Sequence, residues 1–350
     1  MSSHAALVVA AIGSPMIAST RTTPTPGPNQ ILVRVHIAGL NPHDAKAQST
    51  GLFINQTLPS PLAIDIVGQV IILGSAVTKY KIGDVIFSLV APMDPDAAGT
   101  QEYALLEEEL SALVPRGVGE HEAAVLALNP VTAFWGMFRE GGLGIPPPLP
   151  FLGHDPSFEY GKQSIAVIGG GSAVGKYVVA LAKYAGFGTI IVTASKARNE
   201  QQLMEWGATH VLDRSLPVEE LQARVKEIVG DDLIYVYDAV NPGQAAELGA
   251  SFLSTSKPGR LVVITGGDFD ASKVEGKKAG FVRKMVYAAV RDEPELGKSY
   301  WDNVGKLIEN GDLKPTAYEE IVGLDAEKVN EVLKGYTEGK AVVKPQLKLI

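Results

Sequence analysis

The chain has 350 residues, 46% of them hydrophobic, and a formal net charge of −8 at pH 7. This length and apolar content predict two domains with substantial cores. The negative charge and the lack of basic tracts argue against a nucleic-acid partner, and no apolar run in the sequence approaches a membrane span. The sequence contains no cysteine, which excludes disulfides and thiolate chemistry and is compatible with the cytoplasmic location that we expect.

The first 125 residues contain short β-like runs and frequent turns, which predict a β-rich domain. Residues 5–11 are apolar but lack a preceding basic segment, so we predict a first strand or hairpin there and not a signal peptide. Helical structure is predicted over residues 120–138. Glycine and proline are frequent in residues 141–156, which predicts an irregular segment, either a linker or a loop over a cleft. Further strands are predicted at residues 31–38, 66–73 and 84–89.

Residues 164–175 have the sequence SIAVIGGGSAVG and are the most informative stretch of the chain. They predict a buried strand, a glycine turn and a helix that ends at Gly186. This order suits a bound pyrophosphate, because glycine lets the backbone approach it and the helix N-terminus offers unpaired N–H groups. The match to G-x-G-x-x-G is imperfect, with serine at the middle glycine position. The predicted cofactor-binding residues of the turn are Gly170, Gly171, Ser172, Ala173 and Val174.

A regular alternation of strands and helices follows the turn. Strands are predicted at residues 189–194, 210–213, 233–238 and 260–265, and helices at 199–206, 217–229 and 242–253. Strands rich in Val and Ile that alternate with helices indicate a parallel sheet covered on both faces. The predicted fold class is therefore α/β, with a doubly wound parallel-sheet Rossmann domain. We also predict helices over residues 280–290 and 299–310, and a terminal strand in which Pro345 favours an edge position.

The residues at the end of the second strand of this domain indicate whether the cofactor is NADH or NADPH. NAD sites usually have an Asp or Glu about 20 residues after the glycine turn, to hold the ribose hydroxyls. Residues 193–198 instead have the sequence TASKAR, without an acid. Ser195, Lys196 and Arg198 can bind a 2′-phosphate, and Arg214 after the third strand adds a positive charge. We therefore predict NADPH as the cofactor; the alternative is that these are ordinary solvated residues at the start of a helix.

The order and spacing of several local motifs resemble the medium-chain dehydrogenase/reductase superfamily over nearly the whole chain. The resemblance implies a GroES-like β-rich substrate domain over residues 1–125, completed by about residues 295–350. It also implies a Rossmann NADPH-binding domain over residues 126–294. The motifs are AGLNPHD (38–44), AIDIVG (63–68), KIGDV (81–85), GTQEY (99–103), NPVTA (129–133) and the glycine turn.

Zinc-dependent alcohol dehydrogenases of this superfamily carry a cysteine ligand near residues 39–41 of this chain. They have a Gly-His-Glu triplet where this chain has Ala-Ile-Asp at residues 63–65. Here Asn41 and Ile64 occupy the ligand positions, and the six histidines form no close ligand pair. We therefore expect no catalytic metal, and alcohol oxidation would lose the usual means of stabilising an alkoxide.

The motif from Asn41 to Asp44 resembles the zinc-free branch of the superfamily, which includes quinone oxidoreductases and enoyl reductases. In that branch NADPH delivers hydride to the β-carbon of an activated alkene, and the resulting enolate is then protonated. Lys46 lies where several members have a tyrosine, and trans-acting enoyl reductases of fungal polyketide assembly resemble this chain in having lysine there.

The resemblance implies three catalytic residues, Lys46, Asn41 and Thr132. Lys46 would donate to the substrate carbonyl or help protonate the enolate; otherwise it is a solvated loop lysine. Asn41 would hydrogen-bond substrate or cofactor; otherwise it stabilises a turn. Thr132 resembles a threonine near the nicotinamide ribose or the substrate. Asp44 and Asp65 are expected to be structural.

The leading hypothesis is an NADPH-dependent oxidoreductase that reduces an activated carbon–carbon double bond in an enoyl or enone substrate. A stand-alone enoyl reductase of fungal secondary metabolism is one form of it. The alternatives are an NADPH quinone oxidoreductase and a non-catalytic NADPH-binding protein. The expected partners are a small-molecule or acyl-thioester substrate and, for an acyl substrate, an acyl carrier protein. We expect a monomer or a homodimer. The charged stretch over residues 268–278 would either cover the sheet edge near residues 261–265 or leave it free to pair with a second copy.

Overall fold

The computed structural model describes residues 2–240, 247–274 and 276–349. The chain divides into two compact units, one formed by Met1–Leu128 with Tyr300–Ile350 and the other by Asn129–Ser299. Within the described ranges, no helix combines the length and the apolar character needed to cross a membrane.

The first unit opens with a two-stranded hairpin, as predicted for the N-terminus. Its two strands pair antiparallel, from Ser3 opposite Thr22 to Val9 opposite Met16. A short helix, α1, begins with a proline, which suits the first helical position because its missing N–H would have no acceptor there. The elements up to residue 125 are β1 (Ser3–Val9), β2 (Met16–Thr22), β3 (Gln30–Gly39), α1 (Pro42–Thr50), β4 (Asp65–Leu73), β5 (Val85–Leu89), β6 (Tyr103–Glu107), β7 (Ser111–Leu113) and α2 (Glu120–Val125).

The second unit has a six-stranded sheet in the order β10-β9-β8-β11-β12-β13, and all its strands run parallel. This confirms the doubly wound α/β fold class, because the strand order reverses beside the first strand of the sheet. Two helices cross the boundary in sequence, since Leu128 of α3 and residues 300–309 of α8 belong to the first unit. The elements are α3 (Leu128–Phe138), β8 (Ser164–Ile168), α4 (Ala173–Ala185), β9 (Thr189–Ala194), α5 (Lys196–Trp206), β10 (His210–Asp213), α6 (Val218–Val229), β11 (Tyr235–Asp238), α7 (Leu248–Phe252), β12 (Gly259–Val263), β13 (Phe281–Met285) and α8 (Pro294–Glu309).

The C-terminal segment adds β14 (Tyr318–Val322), α9 (Ala326–Thr337) and β15 (Lys344–Lys348) to the first unit. The large sheet of that unit has the order β14-β15-β3-β4-β5-β7, and β6 also pairs with β3. Because β15 has a partner on each side, the prediction of an edge position for Pro345 is wrong. Pro345 is only the second residue of β15, where its carbonyl oxygen still accepts a hydrogen bond from the N–H of Leu40 at 2.9 Å.

The helix predicted over residues 280–290 is also wrong, because Phe281–Met285 form the strand β13. β13 lies parallel to β12, with Phe281 opposite Gly259 and Met285 opposite Val263. The open edge of β12 offered backbone hydrogen bonds that outweighed a weak helical pattern. Residues 261–265 therefore do not form the edge of the sheet, and β13 does.

Other boundaries differ by smaller amounts. α5 begins at Lys196, three residues before the predicted start, and Lys46 lies on the helix α1 and not in the loop of the alternative interpretation. The predicted helix over residues 242–253 is seen as α7, and its first part lies outside the described residues. Residues 141–156 contain neither helix nor strand, as predicted.

Candidate functional site

The glycine turn between β8 and α4 is packed too tightly for side chains. A Cβ on Gly170 would lie 2.0 Å from Val192 Cγ1, and a Cβ on Gly175 would lie 2.4 Å from the carbonyl oxygen of Gly169. These two glycines let the turn and the start of α4 sit directly on the sheet. This is the close helix–strand packing that a dinucleotide-binding turn requires.

Ser172, the departure from the glycine pattern, has a structural reason. It is the N-cap residue of α4, with φ −73° and ψ 162°, and its Oγ accepts a hydrogen bond from the N–H of Gly175 at 3.1 Å. Its backbone therefore has no need of glycine, and its side chain satisfies one of the first amides of the helix. The N–H groups of Ala173 and Val174 are in the first turn and have no intrahelical acceptor, so they are candidates for binding a phosphate.

The residues predicted to bind a 2′-phosphate follow two neighbouring strands. Ser195 is the N-cap residue of α5 directly after β9, and Lys196 and Arg198 are exposed in its first turn. Arg214 follows β10 and is exposed, and its N–H donates to the carbonyl oxygen of Ala194 at 2.8 Å. The carboxyl ends of parallel strands meet at one edge of the sheet, so the structure brings these four residues together.

An acid that the sequence analysis did not consider lies at the same edge. Oδ1 of Asp213 accepts hydrogen bonds from the N–H of Ser215 at 2.8 Å and from its hydroxyl at 2.6 Å. Oδ2 accepts from the N–H of Lys196 at 3.3 Å. The hydrogen bonds from Ser215 hold the pKa of Asp213 below its usual value, so the carboxylate stays ionised. Both of its oxygens are engaged by donors, which limits its repulsion of a nearby phosphate.

Asn41, at the start of α1, belongs to a buried polar network. Its side-chain Nδ2 donates to Asp65 Oδ2 at 2.9 Å and to the carbonyl oxygen of Gly39 at 3.3 Å. Its Oδ1 accepts from the Nζ of Lys344, which also contacts Asp65 Oδ2. Asn41 is 2% exposed. Every polar atom of its amide therefore has a protein partner, so the structure favours the structural role that we weighed for Asn41.

The first turn of α1 is held by Asp44, another buried acid. Its carboxylate accepts hydrogen bonds from the N–H of Asn41 at 2.7 Å and from the N–H of Ala63 at 3.0 Å. Burial opposes its ionisation, but nearby His43 and these hydrogen bonds outweigh burial and hold the pKa of Asp44 below its usual value. Lys46, two residues further along α1, is exposed. An anchored helix thus carries the predicted proton donor at its surface.

Thr132 lies in the middle of α3 and is 7% exposed. Its carbonyl oxygen accepts a hydrogen bond from the hydroxyl of Tyr237 at 2.9 Å. Tyr237 is wholly buried in β11, and burial raises the pKa of its hydroxyl. Gly136 makes this contact possible, because a Cβ there would lie 2.3 Å from the ring of Tyr237. Tyr237 was not identified from the sequence, where nothing links it to Thr132.

The predicted site residues are divided between the two units. Asn41 and Lys46 lie in the first unit, and Thr132 lies in the second with all the predicted cofactor-binding residues. Among residues 2–240, 247–274 and 276–349, no group of three or more His, Cys, Asp or Glu side chains is arranged to hold a metal ion.

Two family models match separate parts of the chain. The alcohol dehydrogenase GroES-like domain matches residues 27–144, and the zinc-binding dehydrogenase domain matches residues 173–296. With the sheet topology described above, they identify the chain as a member of the medium-chain dehydrogenase/reductase superfamily. It is an NAD(P)-dependent oxidoreductase of that family.

Two similar proteins illustrate the range of the family. The chain is 27% identical to a zinc-type alcohol dehydrogenase-like protein of Staphylococcus aureus, over 87% of each chain. It is also 27% identical to the dehydrogenase azaJ of Aspergillus niger, over 98% of each chain.

Two solved structures share the whole fold. The enoyl reductase CurK superposes with a TM-score of 0.78 at 19% identity, over 99% of each chain. A quinone oxidoreductase of Pseudomonas syringae superposes with a TM-score of 0.77, also at 19% identity and over 99% of each chain. At 19% sequence identity, these similarities show a shared fold only.

Proposed function

We propose that the protein is an NADPH-dependent reductase of activated carbon–carbon double bonds, with an enoyl or enone compound as its substrate. The observation that carries the cofactor preference is the basic edge of the sheet, where Ser195, Lys196, Arg198 and Arg214 lie together. A phosphate on the ribose would gain charge-assisted hydrogen bonds there. An unphosphorylated ribose would find no carboxylate at the end of β9, where NAD sites usually have one.

The substrate class is supported by the relatives and by α1. Solved structures of enoyl reductases and quinone oxidoreductases share the fold over the whole chain. Lys46 is an exposed cation on a helix whose first turn is fixed by Asp44. An ammonium group is a suitable donor to a carbonyl oxygen that becomes negative during the reaction.

In this mechanism the chemistry that NADPH would supply, when bound, is a hydride for the β-carbon of the alkene. The N–H groups of Ala173 and Val174 and the basic residues after β9 and β10 would hold its phosphates. Lys46 donates to the substrate carbonyl oxygen, where the electron pair of the double bond moves. The same ammonium, or a water that it orients, then delivers the proton that the α-carbon requires. Thr132 orients the nicotinamide ribose or the substrate.

This proposal includes zinc independence, since Asn41 and Ile64 stand where the zinc-dependent relatives have ligands and the chain has no cysteine. It also includes a role in fungal secondary metabolism, with an acyl carrier protein as the partner that presents the substrate. The match to the Aspergillus niger dehydrogenase along 98% of both chains supports a fungal setting. A quinone oxidoreductase is the second candidate, supported by the Pseudomonas syringae structure.

The test is the loss of absorbance of the reduced nicotinamide with purified protein. Each of NADPH and NADH is offered with an enoyl thioester, a simple enone, a quinone and an aldehyde. We expect turnover of the enone or the enoyl thioester with NADPH. Turnover of the quinone alone would support the second candidate, and NADPH binding without turnover of any substrate would support a non-catalytic protein.

The variant Lys46→Ala tests the proposed donor. It should lower turnover of the alkene by roughly 10²-fold, a typical contribution of general acid catalysis, while NADPH binding is unchanged. Lys81→Ala, at another exposed lysine of the first unit, is the matched control and should leave turnover as in the unaltered protein.

A further inference from the structure

A buried lysine joins the polar groups at the start of α1. Lys344 is the first residue of β15 and is 9% exposed. Its ammonium contacts the Oδ1 of Asn41 and the Oδ2 of Asp65, a carboxylate with no exposed surface. These residues are far apart in sequence. They meet because β15 pairs antiparallel with β3 and brings Lys344 beside the end of that strand.

The two partners of Lys344 each hold the beginning of a helix. Asp65 uses its other oxygen, Oδ1, to accept a hydrogen bond from the N–H of Leu128 at 2.8 Å. Leu128 is the first residue of α3, four positions before Thr132. Asn41 precedes α1, and its N–H donates to Asp44 Oδ2 in the first turn. Within the first unit, the buried cation therefore connects the residues at which α1 and α3 begin.

The backbone is shaped to admit this lysine. A Cβ on Gly39 would lie 3.0 Å from the Cε of Lys344 and 3.0 Å from the Cβ of Asp65. Without Lys344, the Asp65 carboxylate would be a buried charge with no cation, and the Oδ1 of Asn41 would lose its donor. Unpaired buried groups rearrange to find partners. A rearrangement of Asn41 would disturb the start of α1, and a rearrangement of Asp65 would disturb the start of α3.

We infer that Lys344 is a positioning residue: through Asn41 and Asp65 it fixes the starts of α1 and α3, and so the position of Lys46 on α1. Lys344 itself contacts neither substrate nor cofactor in this role. The inference rests on the proposed function in so far as Lys46 is taken to act on the substrate.

The test compares Lys344→Met with the double variant Lys344→Met/Asp65→Asn. Methionine keeps the length of the side chain without its charge, and the asparagine removes the unpaired carboxylate. Lys344→Met should lower kcat for the alkene at least about tenfold, as expected when reacting groups are displaced. The KM for NADPH should stay within about twofold of that of the unaltered protein. The double variant should recover the melting temperature but not kcat, because the cation that joins Asn41 to residue 65 is still missing.

Hydrogen exchange gives a readout that needs no activity. In both variants the amides of residues 41–50 and 128–138 should exchange faster, while those of β9 should be unchanged. Recovery of both stability and kcat in the double variant would show that Lys344 only balances a charge, and would overturn the inference. Unchanged exchange at the two helices would also overturn it. If the unaltered protein reduces no alkene, the proposed function fails, and exchange alone then decides whether Lys344 anchors the helices.

Discussion

The substitution Gly136→Ala tests whether the contact between α3 and β11 is as tight as the structure indicates. The added Cβ would lie 2.3 Å from Cε2, 2.6 Å from the hydroxyl oxygen and 2.7 Å from Cζ of Tyr237. That ring is wholly buried, and its hydroxyl is hydrogen-bonded to the Thr132 carbonyl at 2.9 Å, so it has little room to move. Overpacking typically costs about 1–3 kcal/mol, and loss of the hydrogen bond adds about 1 kcal/mol.

The expected loss is therefore about 3 kcal/mol of the free energy of unfolding of the second unit. For a domain of this size it corresponds to a fall in melting temperature of roughly 6–12 °C. Calorimetry would measure it. Gly305→Ala, in the part of α8 that belongs to the first unit, is the control for an added helical methyl group, because no atom of the described residues lies within 4 Å of a Cβ there. Alanine should stabilise that helix by up to about 1 kcal/mol.

A second variant tests whether the ring of Tyr237 causes this loss of stability. In a Tyr237→Ala background the ring is absent, so Gly136→Ala should cost much less than it does alone, which would appear as a coupling energy between the two positions. If Gly136→Ala is as stable as the unaltered protein, or if its cost is the same in both backgrounds, the ring is not confined as described.

Three further predictions concern the cofactor site and α1. Gly175→Ala should abolish NADPH binding measured by cofactor fluorescence, because the new Cβ would meet backbone atoms of the glycine turn at 2.4 and 2.8 Å. Arg214→Ala should raise the KM for NADPH by about tenfold without changing that for NADH; the control Arg224→Ala removes an exposed arginine that pairs with Glu220. Since the pKa of Asp44 is lowered in the folded protein, its carboxylate adds stability above about pH 4 that is lost as the pH falls through the folded pKa. Urea unfolding of Asp44→Asn should therefore show lower stability at neutral pH and a flatter pH dependence below about pH 4.

Most of the parallel sheet could be predicted, because its strands from β8 to β12 are specified locally. The run from Ser164 to Gly175 contains the strand, the turn and the helix start within twelve residues. Gly186 ends α4 with φ +90°, a conformation that glycine adopts without strain. Where the local pattern was weak the prediction failed, as at Phe281–Met285. That segment is a strand because β12 presents an open edge, and no property of its own sequence requires it.

The anchoring of the candidate site depends on contacts between residues far apart in the chain. Asn41 could be selected from its motif, but whether its amide is available to a ligand depends on Lys344, which lies 303 positions away. A lysine near the end of a chain is ordinary in sequence. The role of Lys344 can be recognised only in the fold, where β15 pairs with β3 and the ammonium occupies a space that Gly39 leaves open. In the same way Tyr237 reaches Thr132 only because Gly136 has no side chain. The sequence thus indicates which residues are chemically suited to act, and the packing of strands from distant segments determines which of them are held in place.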